Sequence, residues 1–122
     1  MVQAPSPKRY DLEERTLKFA QSTNAYVRSL PRDIVNVENG KQLVRASGSV
    51  GANYIEANDS LSKKDFLMRI KISKKECKEA RYWIVLTQPA KEHERLKATL
   101  LDEATQLMNI LGAILVRSGS RL

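Results

Sequence analysis

The sequence predicts an all-α protein, an antiparallel up-down-up-down four-helix bundle, and three observations carry that prediction. Apolar residues recur at intervals of three and four along four long stretches, as one side of a helix requires. Prolines fall between stretches, Pro31 in SLPRD and Pro89 in TQPAKE, where a missing N–H and a fixed φ break helices. No stretch alternates apolar and polar residues as a half-buried strand would. Helices of about 20 residues are about 30 Å long, and short connections make sequential neighbours antiparallel.

Pro5 and Pro7 mark residues 1–10 as a lead, with the bundle expected over 11–118 and a tail at 119–122. The first helix is expected from about Asp11 to Ser29. Asp11 is a candidate N-cap, and Glu13 and Glu14 suit the positive end of the helix dipole. Leu12, Thr16, Phe19, Ala20, Thr23, Val27 and Leu30 form its inner face. The second helix should start near Asn36, another cap candidate, and run to about Ala57 on a stripe of Leu43, Ser47, Val50 and Tyr54. Ser62 opens the third with the Ser-x-x-Asp pattern of a capping box, and the helix continues to about Leu86. Along it Phe66, Ile70, Ser73, Cys77, Ala80 and Ile84 step by four, three, four, three and four, a heptad seam. The fourth covers about Glu92 to Arg117, with Leu96, Leu100, Ala104, Leu107, Leu111 and Ile114 on one side.

The second helix carries a local conflict in RASGSVGANYIEAND, residues 45–59. Each glycine inside a helix costs roughly 1 kcal/mol against alanine. The compensation is a surface of Ala46, Ser47, Gly48, Gly51 and Ala52 that lets a neighbouring helix come close, matched by Ser73, Cys77 and Ala80 on the third helix. Asn53 and Glu56 then need partners, which Arg69 or Arg81 could supply. Arg45, Gly48, Gly51, Asn53 and Glu56 are accordingly the expected helix-packing motif. The close approach is either between helices of one bundle or between subunits.

Composition narrows the function. With 122 residues, 42% hydrophobic and 29% charged, the chain fits one globular domain. Cys77 and His93 are the sole cysteine and histidine, so neither a disulfide framework nor a His-Cys metal set can form, and no cofactor is expected. MVQAPSPKRY lacks the apolar run of a signal peptide, and no segment reads as the roughly 20 apolar residues of a membrane span. A cytoplasmic protein without a membrane partner is expected. The 21 Lys and Arg against 14 Asp and Glu leave a charge of +7, which favours polyanionic partners.

The run KQLVRASGSVGANYIEANDSLSKKDFLMRIKISKKECKEARYW, residues 41–83, resembles the 23S rRNA intervening-sequence protein family. The resemblance rests on Ser49, Gly51, Ala52, Asn53, Tyr54, Ile55 and Glu56, then on Ser62, Lys63, Lys64, Asp65 and Phe66 opening the third helix. KKECKEARYW looks like the RKEAKESRYW of a subgroup, with Cys77 where Ala is usual, and EATQLMNILGAIL is similar to the family's last helix. The resemblance implies a four-helix bundle that assembles as a homopentameric barrel with a central channel. It also implies a non-enzymatic role. A relative, the accessory variability protein of diversity-generating retroelements, shares the barrel and binds nucleic acid and its reverse transcriptase through basic surfaces.

Between Lys63 and Arg81 eight basic residues stand against Asp65, Glu76 and Glu79. Lys71 and Lys75 lie one turn apart, a like-charge pair that mildly destabilises an isolated helix. Lys64, Arg69, Lys71, Lys75 and Lys78 are the candidate contacts for RNA or DNA phosphates. The competing expectation is a solvated face, or a surface for a protein partner, on an oligomeric scaffold with no nucleic-acid role. Tyr82 and Trp83 either stack on bases or fill core and interface. For catalysis little remains. Gly48 and Gly51 lack the P-loop sequence; Cys77, on the inward seam, reads as a small buried hydrophobe rather than an activated thiol. His93 reads as an exposed first-turn residue, and one histidine cannot supply the two Glu-x-x-His motifs of a di-iron bundle. No catalytic residue is assigned, and the chain is expected to be a non-enzyme.

Overall fold

In the computed structural model, which describes residues 7–119 and their side chains from Leu12 onward, four helices follow one another. They are α1 (Pro7–Ser29), α2 (Ile34–Asn58), α3 (Lys63–Leu86) and α4 (Glu94–Arg117), with a 3₁₀ turn (Lys91–His93) ahead of α4. Pro5, most of the expected lead and all of the expected tail after Gly119 lie outside the described residues.

Pairs of touching residues fix the directions. Thr16 lies against Gly51 and Val27 against Gly40, so α1 and α2 run antiparallel. Ser73 Oγ donates to Val50 O at 2.7 Å and Arg69 Nη1 to Asn53 Oδ1 at 3.1 Å, so α2 and α3 do as well. Lys74 lies over Gly112, while Lys97 reaches back to the carbonyls of Val85 and Thr87, which makes α3 and α4 antiparallel. Arg15 closes the ring with a two-pronged contact to Glu103, at 2.7 and 2.9 Å, joining α1 to α4. The up-down-up-down bundle is therefore closed.

The ends of the helices differ from expectation in two places. α1 begins at Pro7 rather than Asp11; proline is well placed in a first turn, where its missing N–H costs no bond. α2 is capped by Asp33, whose carboxylate accepts from the Asn36 N–H at 2.8 Å. Asn36 is not the cap. Its buried amide instead donates to Pro31 O and Gln88 O and accepts from Gln88 N–H, pinning the α1–α2 turn to the α3–α4 turn. Ser62 caps α3 as expected, accepting from Asp65 N–H at 3.1 Å.

The core follows the predicted faces. Ile70, Cys77, Ala80 and Ile84 of α3 are fully buried with Ser73, against Leu43 and Val50 of α2 and Leu107, Leu111 and Leu115 of α4. Phe66 packs only partly against this core. Tyr26, absent from the expected α1 face, is fully buried and its phenol shares a 2.8 Å hydrogen bond with the Thr87 hydroxyl. That bond is the partner a buried tyrosine oxygen requires. The expectation that no segment reads as a membrane span is corrected by α4, which is apolar enough to cross a membrane by length and composition. Leu100, Ala104, Leu107, Leu111 and Leu115 nevertheless spend its apolar side on the core.

Gly48 and Gly51 of α2 have different surroundings. A Cβ at Gly51 would stand 2.9 Å from Thr16 Oγ1 and 3.2 Å from Thr16 Cβ, so this glycine admits α1, not α3. A Cβ at Gly48 would meet nothing within 4 Å. Gly48 is exposed, and within the bundle it is not a packing residue.

The same substitution should thus have opposite signs at the two sites. Gly51→Ala is expected to destabilise by about 1–3 kcal/mol, because Thr16 is held by its hydroxyl bond to Leu12 O and cannot swing aside. Gly48→Ala should stabilise by about 1 kcal/mol through helix propensity alone. Urea unfolding of the two variants checks both signs.

Candidate nucleic-acid interface

Two of the sides of α3 are already occupied. Ser73, Cys77 and Ala80 face inward and are fully buried, and the flanks contact α2 and α4. The charged residues are left with the outer edge. Lys64, Lys71, Lys75 and Lys78 are exposed there, and Lys74, half-buried, lies over Gly112 of α4. From Thr105 to Val116 α4 contains no charged residue. Between the two helices runs a groove of about 340 Å³ with Lys71, Lys74, Lys75 and Lys78 along its rim and Met108 and Leu115 beneath them.

These charges are almost uncompensated. Lys75 and Glu79 approach to 3.9 Å, but both side chains are well exposed, and such a pair contributes little. Lys71, Lys74 and Lys78 form no ion pair among the described residues. Lysine stems cover the apolar floor while the ammonium groups stay in water. The groove presents several cations over an apolar strip, a surface suited to a polyanion.

Arg69 does not belong to this face. It donates to Asn53 Oδ1, and the Asn53 amide in turn donates to Ser49 O at 2.9 Å, so the pair ties α3 to α2. Around Arg69 are Glu56, Asp59 and Asp65, the acidic side of the molecule at this level. Two more members of the expected packing motif are displaced from it. Glu56 is exposed and its side chain makes no hydrogen bond to α3 among the described residues. Arg45 is exposed too, near enough to Glu76 to favour its ionised form. Burial and the neighbouring Glu79 outweigh Arg45 and Lys75, so the Glu76 carboxyl lies above the ordinary range. Of the five residues expected at the junction, Asn53 bridges α2 and α3 and Gly51 admits α1.

A sequence profile described as 23S rRNA-intervening sequence protein matches residues 8–116. The chain belongs to this family. A solved structure is similar to it, a protein with unknown function from the S23 ribosomal protein family of Bacteroides thetaiotaomicron VPI-5482. The two superpose with a TM-score of 0.73 at 25% sequence identity, over 88% of this chain and 97% of that one. No curated protein matches.

In this 23S rRNA-intervening sequence protein family member, the remaining candidate chemistry is placed as follows. Cys77 is fully buried, and burial, followed by Glu103 and Glu76, pushes its thiol up to about 12. His93 is half-buried, not exposed, and its Nδ1 has no hydrogen-bond partner among the described residues. No three His, Cys, Asp or Glu side chains among the described residues converge to hold a metal. Tyr82 and Trp83 part company. Trp83 packs against the core, whereas Tyr82 is 60% exposed one turn beyond Lys78, with the two rings edge to face at 5.1 Å.

Lys74, Met108 and Leu115 are groove residues outside the set expected from sequence. Lys74 stands three residues after Lys71 and four before Lys78, and that spacing is its signal. The floor has none, because it comes from another helix.

Cys77 gives a pH prediction with a definite sign. Its folded pKa of about 12 exceeds the ordinary thiol value of 9.0, so the native state keeps the proton that the unfolded chain releases. The contribution is fully present below 9.0 and is lost as pH climbs toward 12. Cys77→Ala should lose less stability than wild type between pH 8 and about 10.5 in urea unfolding, and the native thiol should resist a disulfide reagent at pH 8.

Proposed function

We propose that this family member is a non-catalytic, self-associating protein that binds RNA or DNA through the lysine-lined groove between α3 and α4. The observation that carries the reading is the charge distribution: four lysines over an uncharged stretch of α4, with two acidic neighbours on α3, Glu76 and Glu79, the latter in a loose exposed pair with Lys75. Phosphates neutralised there would release counterions, which makes binding favourable at low salt and steeply salt-dependent. Among the described residues the groove is lined by lysines and apolar side chains, and the one thiol, Cys77, is buried away from it. Arg69, which bonds Asn53, is left out of the binding set, and Lys74 is added to Lys64, Lys71, Lys75 and Lys78.

Self-association belongs to a different face. Val44 and Ile55 are exposed on the outer side of α2 with Gly48 and Ala52 between them, a side-chain-poor strip on which a second copy could sit closely. A homopentamer is the assembly that the family resemblance suggests.

Binding of a fluorescent RNA across a salt series tests the reading. The double variant Lys71→Glu/Lys75→Glu should weaken binding strongly and reduce the slope of log K against log salt by about 1 for each phosphate no longer neutralised. Wild-type protein that ignores RNA and DNA at low salt, or binds with a flat salt profile, would favour an oligomeric scaffold whose lysines serve solubility or an acidic protein. Light-scattering mass tests assembly separately: Gly48→Arg should shift a homopentamer toward smaller species while the fold persists.

A further inference from the structure

Building on that reading, we infer that the α3–α4 groove takes an unpaired strand rather than a duplex, with phosphates along Lys64, Lys71 and Lys78 and a base stacked on Tyr82. At about 100° per residue, Lys64, Lys71 and Lys78 repeat at nearly the same angle around α3, and Tyr82 falls about 20° from Lys71. Lysines and aromatic ring thus lie in one straight line. From Lys71 to Tyr82 it covers about 16 Å.

A duplex does not match that line. Its strand advances about 3.4 Å per nucleotide and completes a turn in about 10 base pairs, so laid along α3 it would wind nearly half way round over the same distance. Its phosphates would leave the stripe after the first contacts. An unpaired strand has no such winding and can follow the helix.

The floor and the ring point the same way. Half-buried Met108, with the fully buried Leu115 behind it, is the apolar surface beneath the lysines, and a duplex keeps the faces of its bases stacked inside. Unpaired bases have apolar faces to lay on it. Tyr82 is exposed, yet its ring is held edge-on by Trp83, with 77° between the planes, and Trp83 is itself packed against the core. A ring already held in place loses little freedom when a base stacks on it.

The test compares oligouridine with the same oligouridine annealed to oligoadenine, both fluorescently labelled, against the full chain at low salt. Oligouridine should bind roughly tenfold tighter than the duplex. Tyr82→Ala should weaken oligouridine binding by roughly tenfold, as the loss of one stacked base does, and leave duplex binding unchanged. Tyr82→Phe should keep wild-type affinity, and unchanged melting of both variants controls for folding. Duplex binding as tight as single-strand binding, or an inert Tyr82→Ala, overturns the inference. If such an inert variant still binds with a steep salt slope, the lysine reading stands and only the strand preference falls. If neither probe is bound, both fall.

Discussion

A hydroxyl of one helix bonded to the backbone of the next sets how close α2 and α3 lie, and the rest of the arrangement depends on that distance. Ser73 Oγ donates to Val50 O at 2.7 Å in a fully buried position. The bond can form only where the side chains between the two helices are short, and Ala46, Ser47, Cys77 and Ala80 provide that. An unmade hydroxyl bond there would leave a buried polar group unsatisfied, which costs more than the bond contributes when made. The small residues and the hydroxyl are therefore one device.

Its consequence is felt on the opposite side of α3. With one flank against α2 and the other against the leucines of α4, the helix has a single edge left for charge, and most of its lysines stand there. α4 in turn carries no charge across the stretch that faces them, so nothing on the neighbouring helix neutralises the rim. The basic groove is a by-product of how the core is divided, and its position does not depend on any loop. That rigidity is what a site tracking a polymer along a straight line requires.

Much of this is legible in the sequence, because periodicity reports faces. The seam of Ile70, Ser73, Cys77, Ala80 and Ile84 is fully buried as its spacing implies. Caps are less legible: Asp33 and Asn36 are equally good cap residues, and the choice between them is made by Gln88, 52 positions away, which takes both ends of the Asn36 amide. Glycines are ambiguous for a plainer reason. A residue without a side chain carries no mark of the face it lies on, and Gly51 abuts α1 while Gly48 faces outward. Arg69 is misplaced by a reading of charge alone, although its angle is available, since two residues before Lys71 is about 200° around the helix. The groove floor is not legible at all, because Met108 and Leu115 meet the lysines only once α3 and α4 have packed.

The measurement that tests the account most directly uses the methionines, of which one, Met108, lies on the groove floor and another, Met68, lies beside Arg69 on the acidic side. In protein carrying methyl-labelled methionine, addition of oligouridine should move the Met108 methyl resonance in step with saturation, and by more than that of Met68. A Met108 resonance that stays in place while binding saturates would mean that the nucleic acid sits elsewhere, and would contradict the groove as the site.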